Sequence, residues 1–180
     1  MQLRTMIVAA LALYALLQPE GGETLVSNYS EVSSEDRGAF SEPLAIVVNK
    51  SNPVDDLSFV ELRRVFLGER SHWANGRRIT LVMREPGEPE RRTILRDVCG
   101  MNEDQFKTHL LGGLFTGDIL VSPKILAAPS GVRKFVFNVP GAIGYLRLGD
   151  VDGSVKVVRV DKLLPEDRGY KLHVRSEAGN

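Results

Sequence analysis

The run Leu44-Ala45-Ile46-Val47-Val48 constrains this chain most, because its successive apolar residues leave no polar face. Such a run reads as a strand buried on both sides, and the turn-rich "NKSNP" from Asn49 to Pro53 follows it. Ser58 and Glu61 then have the spacing of a capping box, and Phe59, Leu62 and Phe66 share one helical face before Gly68. Asn75-Gly76 marks a turn into a β-branched, apolar strand from Arg77 to Met83. Pro89 suits a first helical position, and Ile94, Leu95 and Val98 form an apolar stripe that Gly100 closes.

Asn102 and Gln105 repeat the capping-box spacing, for a helix running to about Leu111 before Gly112-Gly113. The stretch from Leu114 to Gly131 reads as loop with a short helix. Ser130 caps a helix that turns Val132, Phe135, Val136 and Val139 inward and ends at Pro140-Gly141. Ala142–Leu146 and Val155–Val160 read as two more strands, with Asp152-Gly153 as the turn between them. Strands and helices alternate, which predicts an α/β fold with helices packed on a mixed sheet.

A length of 180 residues fits one such domain, which we place at 43–172 with a C-terminal tail over 173–180. Ahead of it, Arg4, the apolar run Met6 to Leu17 and the breakers Pro19 and Gly21-Gly22 have the form of an export signal over 1–22. The run is short for a bilayer span, and an uncleaved anchor that tethers the protein to a membrane is the alternative. Residues 23–42, rich in Ser, Glu, Gly and Asp, read as a flexible linker. The expected location is therefore the periplasm or cell envelope.

Lys and Arg balance Asp and Glu at 23 each, so no overall field favours nucleic acid. The lone Cys99 forms no internal disulfide and lies near a helix end as a buried, inert thiol. With His72, His109 and His173 scattered, neither a metal site nor a cofactor is expected. GxSxG, HExxH and Walker-type motifs are absent, and nothing nominates a catalytic group, so the chain does not read as an enzyme.

Local chemistry concentrates between the strand ending near Met83 and the helix starting at Pro89, in Arg84-Glu85-Pro86-Gly87-Glu88. A helix start offers free N–H groups, a glycine lets an oxyanion approach the backbone, and Arg84, Arg91 and Arg92 offer charged donors. Against this, Glu88 and Glu90 stabilise a helix start by about 0.3–1 kcal/mol without any ligand. Ser51 and Thr116, in loops after apolar segments, are further candidates, and both are also ordinary turn residues. Trp73 reads as a lid on the core.

Taken in order, "VVNKSNPVDDLSFVELRRVFLGERSHWANGRRITLV", "RTILRDVCGM", "FTGDIL" and "NVPGAIGYLRL" resemble the small phosphate-binding-protein-like domains. These are related to the substrate-binding proteins of phosphate ABC transporters. The resemblance covers about Leu44 to Leu148, and its two most specific blocks are F-L-G with W and G, and P-G-A-I-G-Y. It implies a single lobe of the periplasmic-binding-protein-like α/β fold and an exported protein that binds phosphate or a similar oxyanion, with an ABC permease as partner if the transport role holds. In the full transporter proteins the anion sits between two lobes, held partly by an arginine and a Gly-Ser-rich loop before a helix, and Arg84 and Gly87 fall at the matching place. Where the small domains have serine after the glycine, this chain has Glu88. The expected ligand set is Arg84, Gly87, Glu88 and Arg91, with Ser51 and Thr116 beside it. The alternative on the same fold is an envelope accessory module that binds no anion.

Overall fold

The computed structural model describes residues 41–175, so the expected leader and nearly all of the expected linker lie outside the described residues. Along the chain come β1 (Ser41–Val48), β2 (Asp56–Leu57), α1 (Phe59–Phe66), β3 (Thr80–Arg84), α2 (Pro89–Thr93, continuing as a π-helical turn over Ile94–Cys99) and α3 (Glu103–Thr116). They are followed by β4 (Lys124–Leu126), α4 (Pro129–Asn138), β5 (Ala142–Arg147), β6 (Lys156–Val160) and β7 (His173–Arg175). All the strands join one mixed sheet in the order β2-β6-β1-β5-β3-β4, and β7 pairs with the start of β1. Strand β1 is antiparallel to β5, β6 and β7, whereas β3 is parallel to both β4 and β5.

The continuous apolar run sits at the centre of this sheet, with Leu44 to Val48 fully buried. Its side chains alternate between two cores. Leu44, Ile46 and Val48 pack with Leu62, Phe66, Ile94, Val98 and Phe106 from α1, α2 and α3. Ala45 and Val47 pack with Val82, Val132, Val136 and Leu146, under α4. Helical layers therefore cover both faces, as a strand without a polar side requires.

Both capping boxes form: Ser58 and Glu61 exchange hydrogen bonds at the start of α1, and Asn102 and Gln105 do so at the start of α3. Gly100 takes φ +68° and stops the π-helical turn, with Met101 N–H reaching Leu95 O at 2.9 Å. Trp73 is buried, and its Nε1 donates to Gly141 O at 3.0 Å, tying the turn before β3 to the turn before β5. Gly141 itself admits no side chain, because a Cβ there would lie 2.1 Å from Arg78 O.

Several boundaries differ from the sequence reading. Ser41 and Glu42 belong to β1, and His173–Arg175 form β7 rather than a tail. Helix α3 runs through Gly112-Gly113 to Thr116, and α4 is capped at Ala128, ahead of Ser130. The strand expected from Arg77 begins at Thr80, with Arg78 making only an isolated bridge to His72. No helix among the described residues is long and apolar enough to cross a membrane.

Candidate functional site

Strand β3 delivers Arg84 to the end of the sheet, and the chain turns through Glu85 to Glu88 into α2. Gly87 takes φ +91° in that turn, a conformation that favours glycine, and nothing lies within 4 Å of where its Cβ would be. The Arg84 backbone is clamped on both sides. Its N–H donates to Tyr145 Oη at 2.9 Å, and its carbonyl accepts from Arg91 Nη1 at 2.9 Å. Tyr145 lies in the core, where burial pushes its hydroxyl pKa up and keeps it neutral as an acceptor.

The Arg84 side chain is itself buried, at 7% exposure, and only partly satisfied. Its Nη2 donates to Glu88 Oε2 at 2.7 Å, whereas Nε and Nη1 are buried without a hydrogen-bond partner. An unpaired buried donor costs about 1–3 kcal/mol, more when charged, so this guanidinium favours any acceptor that reaches it. Glu88 is the N-cap residue of α2, but its carboxylate makes no capping hydrogen bond and turns to Arg84 instead.

Behind this pair lies a second set of charges that the sequence did not reveal. Arg147 Nε donates to Glu90 Oε1, and Arg147 Nη1 donates to Glu42 Oε2 at 3.1 Å, joining β5, α2 and β1. Glu90 is buried and its Oε2 has no partner. Burial acts to raise its pKa, but the hydrogen bond and charge of Arg147, with the charge of Arg84, outweigh burial and hold the carboxyl below its ordinary value. Arg84, Arg91, Arg92 and Arg147 stand with Glu42, Glu88, Glu90 and Glu103 around this turn, four charges of each sign, and Arg92 Nη1 donates to Gly87 O at 2.5 Å.

The structure separates the six residues expected in the ligand set. Arg84, Gly87 and Glu88 share one turn. Arg91 is adjacent but committed elsewhere: Nε and Nη2 hold Glu103 at 2.9 and 2.5 Å, and Nη1 holds Arg84 O. It clips α2 to α3 and fixes the backbone of Arg84, so its contribution is to position the turn.

Ser51 lies at the other end of the sheet. Ile143 pairs with both Val48 and Leu81, and Ser51 continues past Val48 away from Arg84, toward Arg77 Nη1 at 3.4 Å. Thr116 is also remote, since α3 rises about 1.5 Å per residue and its far end stands about 20 Å from Glu103. There the Thr116 hydroxyl donates to Asp118 Oδ2 at 2.6 Å. Both are turn and cap residues. Cys99 is buried as expected, its thiol pushed up to about 12 by burial.

No family model matches the chain. It is 27% identical over 135 residues to the phosphate-binding protein PstS of Bacillus subtilis, a match covering 68% of this chain and 37% of that protein. Among solved structures, it is similar to an ABC-type phosphate transport receptor from Vibrio cholerae at 25% identity and a TM-score of 0.56, covering 69% of this chain and 48% of that one. PstS of Borrelia burgdorferi aligns with a TM-score of 0.60 over 75% of this chain and 55% of that one, and at 13% identity it shows the fold alone. The chain thus resembles substrate-binding proteins of phosphate ABC transporters and has the fold of a single lobe of such a protein. It spans about half the length of these relatives, or less.

Proposed function

We propose that this protein is an exported solute-binding-type protein that takes phosphate or a similar oxyanion at Arg84, without turning it over, for an ABC transporter or a related envelope process. The observation that carries this reading is the buried Arg84 guanidinium with Nε and Nη1 unpartnered, beside an open Gly87 backbone. Resemblance to proteins named for phosphate binding supports the choice of anion.

Binding is an exchange in this account. Glu88 holds Arg84 Nη2, and an incoming oxyanion takes Nε and Nη1, approaches the Gly87 backbone and displaces the Glu88 carboxylate toward solvent. Charge-assisted hydrogen bonds contribute about 1.5–3 kcal/mol each, so Arg84→Ala should weaken phosphate binding by roughly tenfold to a hundredfold. Glu88→Ser removes the internal competitor and restores a hydroxyl donor, so it should strengthen binding by a similar factor. Calorimetric titration of the two variants tests the exchange, and equal affinity of Glu88→Ser and the unmodified chain would contradict it.

One observation favours a second reading. The 2.7 Å pair of Arg84 with Glu88 already gives the guanidinium a carboxylate, which suits an accessory module whose helix start is stabilised internally and binds no anion. In that case Glu88→Ser gains no phosphate binding and lowers the melting temperature.

A further inference from the structure

A groove opens along the outer face of α2, the helix that the Arg84 turn leads into. It has a volume of about 560 Å³, and Arg92, Leu95, Arg96, Met101, Glu103 and Gln105 line it. That volume lies within the range of about 300–1,000 Å³ usual for small-molecule sites. The backbone builds its floor. The helix widens into a π-helical turn over Ile94–Cys99, Gly100 stops it, and Met101 N–H returns to Leu95 O at 2.9 Å, which brings the two apolar side chains together at the base. Such widened turns recur at functional sites.

The groove adjoins the proposed oxyanion contact. Arg92 N–H donates to Glu88 O at 3.0 Å, so the two residues stand one helical turn apart, about 5.4 Å along the axis. Arg92 lines the groove, and its Nη1 reaches back to Gly87 O at 2.5 Å. One side chain therefore links the groove wall to the turn that carries Arg84, Gly87 and Glu88. The other charges of the groove are held locally. Asp97 takes Arg96 Nε and Nη2 at 2.6 and 2.9 Å, and Arg91 holds Glu103, the one carboxylate among the described residues that line it.

We infer that this groove receives the organic part of a phosphate monoester whose phosphoryl group sits at Arg84. The inference rests on the oxyanion reading of Arg84 and extends its ligand class beyond the free anion. A monoester keeps three terminal oxygens, enough for Arg84 Nε and Nη1 and the Gly87 backbone, and its ester oxygen leads along α2 past Arg92. A diester keeps only two, which leaves one of those contacts unmade. At the base, Leu95 and the polarizable thioether of Met101 suit a short alkyl or aromatic group, and the planar Arg92 guanidinium stacks on a ring.

Calorimetric titration of the full chain with inorganic phosphate and with phenyl phosphate, side by side, tests this inference. The expected result is that phenyl phosphate binds roughly tenfold tighter, as partial burial of a ring gives. Met101→Ser should remove most of that difference and leave the affinity for inorganic phosphate unchanged. Met101 also packs against the core, so Arg96→Ala, at an exposed position on the groove wall, is the second variant and should narrow the difference as well. Phenyl phosphate binding no tighter than inorganic phosphate overturns the inference and leaves the proposed function standing. A preference that neither folded variant changes overturns it too, because the ring then lies elsewhere. Failure of both ligands to bind overturns the proposed function and this inference with it.

Discussion

Arg84 is the proposed anion contact because its surroundings fix it without satisfying it. Tyr145 and Arg91 hold its backbone, Glu88 takes one terminal nitrogen, and two donors stay buried and unpaired. Part of that was legible in the sequence. Arg84 and Glu88 are four residues apart, and the glycine between them signals a turn. Glu90 was not legible as a partner of Arg147, because the two are 57 residues apart and meet only when β5 is laid beside β3.

The Glu90 pair makes a prediction with a definite sign. A carboxyl whose folded-state pKa is lowered stabilises the fold above its unfolded value, about 4.3, and loses that contribution as pH falls through the folded value. Arg147→Met leaves a buried carboxylate without its cation. It should cost about 3 kcal/mol at neutral pH, the low end for such a pair because Arg147 is about a third exposed. Urea melts taken from pH 7 downward should show the deficit shrinking as the pH falls through the folded value of Glu90; an unchanged deficit throughout would mean that packing, not charge, accounts for it.

At the scale of elements, local signals were the legible ones. The two capping boxes need only residues three apart, and both form as read. The end of α3 escaped because Gly112-Gly113 usually breaks a helix, whereas here Gly113 lies so close to Ile119 that a Cβ would sit 2.5 Å from its Cγ1. Tertiary contact selects the glycine and the helix continues past it. Strands β4 and β7 escaped because each has three residues and exists only through pairing with β3 or β1. The turn before β5 gives the test at this scale. Gly141→Ala pushes a methyl group into Arg78 O and disturbs the bond from Trp73, so it should lower stability by about 1–3 kcal/mol in chemical denaturation. An unperturbed midpoint would show that the turn is looser than described.

Across the described residues, a central strand buried on both faces, helical layers on each side and an arginine at the end of β3 make up one lobe, and the match covers 37% of the curated relative and 48% of the Vibrio cholerae receptor. The Arg84 guanidinium is buried, so in the proposed exchange the affinity rests on Arg84, Gly87 and the readiness of Glu88 to leave. The central claim is that the unpaired donors of Arg84 constitute an oxyanion site. Isothermal titration of the full chain with phosphate, with sulfate as the comparison and at two salt concentrations, tests it most directly. Saturable phosphate binding that Arg84→Ala weakens roughly tenfold to a hundredfold is the predicted result. The absence of heat at millimolar phosphate, in a folded sample and in its Glu88→Ser variant alike, would contradict it.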